Sequence, residues 1–320
     1  MKKRVFITGI AGQDGSYLAE YLLEKEYEIF GLVRYTTTGQ DLTNLQNCIS
    51  DIKIIEGDLI DENFLRRTIA TVRPHEIYNL GSQSHVGKSF DIPDYTTQTT
   101  AIPIVNILEA VKESNFNSKV YQASTSELFG DVFETPQTEN TRFNPRSPYA
   151  VSKLYAHYMV KVYREAYNIF ACSGILFNHE SPRRGLNFVT QKVCREVVRI
   201  VNGRTNHIEL GNIDAKRDWG HARDYVRGMY MMLQQTDPDD YILATGKLRS
   251  VRDLLEVAFS YFSLNYEDYI TINPEYFRPS DVNILLGNSK KATEKLGWVP
   301  LVSFEEMIHE MIEHQQEIGR

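Results

Sequence analysis

The first fifteen residues constrain this chain more than any other stretch. Val5-Phe6-Ile7 is a short apolar run that ends in Thr8-Gly9-Ile10-Ala11-Gly12-Gln13-Asp14-Gly15. The apolar run, the glycines at three-residue spacing and a periodic segment with Leu18, Tyr21 and Leu22 on one side predict a buried strand, a tight turn and a helix. A turn that merely needs a positive φ is satisfied by one glycine. Strand before and helix after give the three glycines another use. They let the backbone approach a pyrophosphate, while the helix N-terminus offers unpaired N–H groups and the positive end of its dipole.

The pattern repeats. Glu28 to Val33 predicts a second strand that ends in Arg34, and Tyr35 to Asn44 is a polar loop. At that strand end an acidic residue binds ribose hydroxyls, whereas Arg accommodates a 2′-phosphate, so Arg34 favours NADP over NAD. Ile52 to Leu59 is a third strand with its exit, where Asp58 is placed to accept a hydrogen bond from an adenine amino group. Helices are predicted over 62–72 and 100–114, with strands at 76–80, 119–123 and 169–177. Gly81-Ser82-Gln83-Ser84-His85 follows the fourth strand, where small residues let a cofactor lie across the sheet edge. His85 is a hydrogen-bonded pocket wall in preference to a base. Alternating strands and helices imply an α/β fold with a doubly wound, Rossmann-like parallel sheet. Further helices are predicted over 189–201 and from Ser303 onward. No Pro/Gly/Ser linker separates the halves. The expected organisation is therefore a cofactor domain over 1–177 and a smaller, interleaved substrate domain over 178–320.

Net charge is −7 in 320 residues, which gives no general attraction to nucleic acid or an anionic membrane. Cys48, Cys172 and Cys194 form no CxxC pair, which argues against a zinc site or a disulfide framework and suits a reducing cytoplasm. No metal is expected. No run of about 18 apolar residues suggests a membrane span. Arg183, Arg184, Lys192, Arg217 and Arg278 concentrate cations in the C-terminal half, as a diphosphate pocket requires.

The chemistry is concentrated between Ser124 and Lys153. Tyr149 and Lys153 are four residues apart, one turn along the same helix face. An ammonium beside a phenol is expected to lower the phenol pKa and make it a usable base. Thr125 can hydrogen-bond a substrate hydroxyl, and Glu127 offers a second acid/base. Together these groups can oxidise an alcohol and then move a second proton. Tyr-x-x-x-Lys is a cheap pattern in a chain with 19 tyrosines, but here it follows the fifth strand of a nucleotide-binding sheet.

Gly9 to Glu20, Gln83 to Val86, Ser124 to Gly130, Pro145 to Ala156, Phe177 to Gly185 and Ala215 to Ala222 resemble the GDP-mannose 4,6-dehydratase family. That family lies within the extended short-chain dehydrogenase/reductases, and the resemblance spans residues 4 to about 300. It implies oxidation at sugar C4, loss of water across C5 and C6, and hydride return to C6, the nicotinamide cofactor ending as it began. It gives catalytic roles to Thr125, Glu127, Tyr149 and Lys153. It places NADP against Gly9, Ile10, Ala11, Gly12, Gln13 and Asp14, in the turn closed by Gly15. Further cofactor contacts fall on Arg34, Asp58, Leu59 and Tyr95, then on Leu80, Gly81, Ser82, Gln83 and Ser84, and on Lys153, His179 and Arg184. The GDP-sugar would meet Ser84, Thr125, Glu127, Tyr149, Asn178, Val189, Lys192, Arg217 and Arg278. A homotetramer or homodimer is implied. Three departures stand out. Tyr35 follows Arg34 where the family has a second Arg, Gln191 replaces Arg, and Gly87-Lys88 replaces Ala-Val. The last lies near the sugar, so a GDP-manno-heptose with a longer C6 side chain competes with GDP-mannose. An epimerase or reductase of the same fold is the further alternative; it needs Tyr149 and Lys153 but no carboxylate for C5.

Overall fold

A computed structural model describes residues 2–276, 282 and 284–319. The N-terminal part comprises β1 (Arg4–Thr8), α1 (Gln13–Glu24), β2 (Glu28–Arg34), β3 (Ile52–Gly57), α2 (Glu62–Val72), β4 (Glu76–Asn79), α3 (Val86–Ser89), α4 (Pro93–Thr100), α5 (Ile102–Glu113), β5 (Lys119–Ala123), α6 (Pro148–Tyr167) and β6 (Ala171–Leu176). After these come β7 (Asn178–Glu180), α7 (Val189–Val201), β8 (Ile208–Leu210), β9 (Lys216–His221), α8 (Ala222–Leu233), β10 (Tyr241–Leu243), β11 (Leu248–Ser250), α9 (Val251–Ser260), β12 (Ile270–Ile272), β13 (Ile284–Leu285), α10 (Lys290–Leu296) and α11 (Phe304–Ile318).

Seven strands form one parallel sheet in the order β10-β6-β5-β4-β1-β2-β3. The direction of winding reverses between β1 and β4, and in such sheets the crevice at that point takes the ligand. One face is covered by α1 and α8, whose Leu18, Leu22, Met229 and Leu233 pack on Tyr78 and Tyr121. The other is covered by α2, α5 and α6 through Leu65, Ile69, Ile104, Ile107 and Val160. Each fully buried aliphatic side chain of this kind contributes about 1.5–3 kcal/mol, so the strand ends are held on a rigid slab.

The chain then builds a second core from α7, α9 and α11, with Val197, Leu254, Phe259 and Met311 fully enclosed. Between these segments it returns to the first sheet, adding α8 to one face and β10 to its edge. Strand β9 carries β11 antiparallel and β7 and β13 parallel, which brings the C-terminal half against the crevice.

The structure adds elements to the expected pattern, among them α4, β7 and β10. The helix predicted over 100–114 is α5, and an unpredicted helix, α4, precedes it and ends at Thr100. Pro103 in the first turn of α5 lacks the N–H that would continue α4 through this point. Strand β10 is three residues long, too short to show a periodicity.

Candidate active site

Gly9 sits at φ +67°, and a side chain there would come 2.8 Å from the Gly81 Cα. A side chain at Gly15 would come 2.4 Å from the Gly9 carbonyl oxygen. The turn after β1 therefore closes directly on the exit of β4. Gly12 caps α1 with extended backbone and no side-chain acceptor, leaving first-turn N–H groups for a ligand.

A line of buried polar side chains ties the strand ends together. Leu80 and Gly81 donate their backbone N–H groups to Thr8 Oγ1 at 3.1 and 3.0 Å, and that hydroxyl donates to Asn79 Oδ1 at 2.7 Å. Asn79 Nδ2 donates to Gln122 Oε1 at 2.7 Å, and Gln122 Nε2 to the Ala123 carbonyl at 2.8 Å. The same carbonyl accepts from Lys153 Nζ at 2.8 Å. A continuous chain of hydrogen bonds thus runs from the glycine turn to Lys153. The sequence alone does not single out Thr8, Asn79 or Gln122; the available signal is polar residues at the last or next-to-last position of apolar strands.

A cavity of about 930 Å³ opens over these strand ends. It brings together Thr125, Glu127, Tyr149 and Lys153 with Gly9, Gly12, Gln13, Asp14, Gly15, Leu80, Gly81, Ser82 and Ser84. Asn178, His179, Arg184, Val189, Lys192 and Arg217 line it from the C-terminal half. Ile10 is fully buried beneath the sheet edge. Leu59 packs under Gly81, and Gln83 donates to the His85 carbonyl. Asp58 accepts from the Ile60 N–H at 3.2 Å, and Arg34 donates to the Tyr95 hydroxyl at 2.6 Å beyond the cavity wall. Ala11 also stands outside the wall, its carbonyl accepting from Asn44. Arg278 lies outside the described residues. His85 caps α3 through Nδ1 and rests against Phe188, as a wall residue would.

Thr125 caps a short turn at 126–128 and accepts from the Glu127 N–H at 3.3 Å, and both residues line the cavity. Ser147 caps α6, Pro148 opens it, and Tyr149 lies in its first turn. Tyr149 and Lys153 are 8% and 4% exposed, which decides their electrostatics. Burial pushes the Tyr149 phenol up, only partly countered by the Thr125 hydroxyl. Burial also pulls Lys153 down to about 8, partly countered by Asp14. The expectation that Lys153 lowers the phenol pKa does not hold in the protein alone. The Nζ atom stands 5.8 Å from the Tyr149 ring centroid and is engaged by the Ala123 carbonyl, and the cost of desolvation dominates both groups.

His179 Nε2 lies 2.8 Å from Asp14 Oδ2, and its Nδ1 lies 2.8 Å from the Phe177 carbonyl oxygen. Two acceptors on two ring nitrogens suit the doubly protonated, cationic ring. Burial opposes both charges, but the Asp14 carboxylate raises His179 and His179 lowers Asp14. Tyr225 stacks on the His179 ring at 4.5 Å. Lys192 Nζ donates to the Glu209 carbonyl at 2.6 Å and lies 4.6 Å from the Tyr276 ring centre. Arg183, expected among the diphosphate cations, is instead directed to α1. It pairs with Glu20 at 2.6 Å, donates to Ser16 and covers the Tyr17 ring. Among the described residues no cluster of His, Cys, Asp or Glu could hold a metal ion.

The narrow glycine turn, the free first-turn N–H groups and the cationic wall suit a dinucleotide and a second, phosphate-bearing ligand. Several solved structures share the fold. UDP-glucose 4-epimerase from Thermotoga maritima superposes with a TM-score of 0.87 at 23% identity, covering 99% of this chain and 100% of that one. A dTDP-glucose 4,6-dehydratase from Bacillus anthracis in complex with NAD gives 0.85 at 21%, covering 98% and 97%. The family profile described as GDP-mannose 4,6 dehydratase matches residues 6–311. GDP-mannose 4,6 dehydratase of Drosophila melanogaster is 46% identical over 99% of this chain and 87% of its own length. The Arabidopsis thaliana GDP-mannose 4,6 dehydratase 1 is 47% identical over 100% and 91%, and the Homo sapiens protein 47% over 98% and 91%. On these matches the chain belongs to the GDP-mannose 4,6-dehydratase family.

Proposed function

We propose that this chain converts GDP-D-mannose to GDP-4-keto-6-deoxy-D-mannose, as an NADP-dependent hydro-lyase. The observation that carries the reading is Glu127, held one short turn from Thr125 on the same cavity as Tyr149 and Lys153. An epimerase or reductase has no use for that carboxylate. Tyr149 takes the C4 hydroxyl proton while Thr125 steadies the oxygen and Lys153 supplies positive charge. The resulting C4 ketone acidifies C5–H. Glu127 removes that proton and delivers it to the C6 hydroxyl, which leaves as water. When bound, the nicotinamide supplies a positive charge beside the phenol and a temporary acceptor for the C4 hydride that returns to C6. The proton taken by Tyr149 balances the one needed at C5, so no external acid or oxidant is consumed. With GDP-mannose and NADP+, a 4-keto product is expected without build-up of reduced cofactor. Steady NADPH accumulation, or an unchanged sugar mass, contradicts the assignment.

Arg34 at the end of β2 supports NADP over NAD, through the charge it offers a 2′-phosphate. The competing sugar is a GDP-manno-heptose. Gly87 and Lys88 line the cavity, and Lys88 pairs with Asp91 at 3.1 Å, so this wall differs in shape and charge from Ala-Val. Mass spectrometry of products from both sugars separates the two. The exposed Val151, Tyr155, Tyr158 and Val162 form one apolar stripe along α6, which supports assembly as a homodimer or homotetramer. Light scattering that finds only monomer contradicts it. The three cysteines are free and buried, which supports a cytoplasmic setting. No described helix is long and apolar enough to cross a membrane.

A further inference from the structure

Glu180 is an unexpected residue to find behind a wall built for anions. It ends β7 with 2% exposure. Its Oε2 accepts from Thr190 Oγ1 at 2.6 Å and lies 3.0 Å from Arg184 Nε. The angle at Nε is too bent for a good hydrogen bond, so the second contact is one of charge. Arg184 lies over the Phe188 ring, its guanidinium carbon 3.5 Å from the ring centre, and it lines the cavity. Thr190 is fully buried in the first turn of α7, beside Val189 and two residues before Lys192, which reaches the same cavity.

A buried carboxylate beside a guanidinium weakens that cation's pull on phosphate by charge alone. What it offers in return is orientation, because a long Arg side chain loses rotamer freedom on binding. We propose that Glu180 is a positioning residue: with Thr190 and Phe188 it sets the Arg184 guanidinium to meet a nucleotide phosphate and links it to the first turn of α7. The proposal rests on the cofactor reading given above for Arg184.

Charge and orientation predict opposite signs. If Glu180 acts only by charge, Glu180→Gln tightens nucleotide binding. If it positions Arg184, Glu180→Gln weakens NADP+ binding on the order of tenfold and has no effect once Arg184→Met is present. The test titrates NADP+ and, separately, GDP into the intact chain and the Glu180→Gln, Arg184→Met and double variants, with calorimetric melting to verify folding. Thr190→Val, which removes only the donor to Glu180, is expected to weaken NADP+ binding less, with recovery in Thr190→Ser; this pair decides the matter if Glu180→Gln does not fold. Unchanged or tighter NADP+ binding in Glu180→Gln, or an equal loss with and without Arg184, overturns the positioning role while leaving the cofactor reading intact. Unchanged NADP+ and GDP binding in Arg184→Met overturns that reading and the proposal together. Weaker GDP but unchanged NADP+ binding in Arg184→Met assigns Arg184 to the substrate and overturns the cofactor reading together with the proposal that rests on it.

Discussion

Lys153 is held in the site at a cost to stability. Its burial holds the ammonium pKa at about 8, below the ordinary 10.5. The folded protein therefore binds fewer protons than the unfolded chain between those values, and its stability rises as pH climbs through that window. At neutral pH the buried charge is a net cost. Lys153→Met, similar in shape but uncharged, is expected to abolish turnover while stabilising the fold at pH 7, on the order of 2 kcal/mol after loss of the Ala123 hydrogen bond. Denaturant melts at pH 7 and pH 10 check this. The gain should shrink at the higher pH, and destabilisation at pH 7 contradicts it. The sequence singles out Tyr149, Lys153, Thr125 and Glu127, and the fold brings all four to one cavity. Protonation was not legible there, because it depends on burial, which spacing along one helix does not report.

At the level of elements, helices with a strong period and clear ends were legible to the residue. The predicted spans 62–72 and 189–201 coincide with α2 and α7. Asp61 caps α2 by accepting from the Phe64 N–H, and Val193, Val197 and Ile200 set the buried stripe of α7. The polar Pro93–Thr100 helix was not legible, since its buried face consists of Thr96, Thr99 and Thr100 instead of aliphatic residues. Nor was the chain of hydrogen bonds from Thr8 through Asn79 to Gln122, because it joins positions in three separate strands. Every member is buried, so removing one leaves its partners unsatisfied, at about 1–3 kcal/mol each. Asn79→Leu is expected to lower stability by about that amount and to reduce kcat through Lys153 and the β4 exit. Thermal melts and steady-state rates check it; a stable variant with unaltered kcat shows that the chain of bonds is dispensable.

On the scale of the whole molecule, the chain leaves the first sheet, builds a second core and comes back to cover the crevice. The cavity wall is therefore drawn from both ends of the sequence. Asp14 from α1 meets His179 from β7 at 2.8 Å, and Arg183 locks the same two segments through Glu20. Doubly wound topology was legible from repeated strand and helix signals, but this clasp was not, as its partners are more than 160 residues apart. On the proposed mechanism the clasp encloses one reaction of two halves, oxidation by Tyr149 and elimination by Glu127. The most direct test is a single turnover of Glu127→Gln with GDP-mannose and stoichiometric NADP+. Reduced nicotinamide should accumulate in the near-ultraviolet absorbance while no 6-deoxy product appears by mass spectrometry. Formation of the 4-keto-6-deoxy sugar at the wild-type rate by this variant would contradict the account.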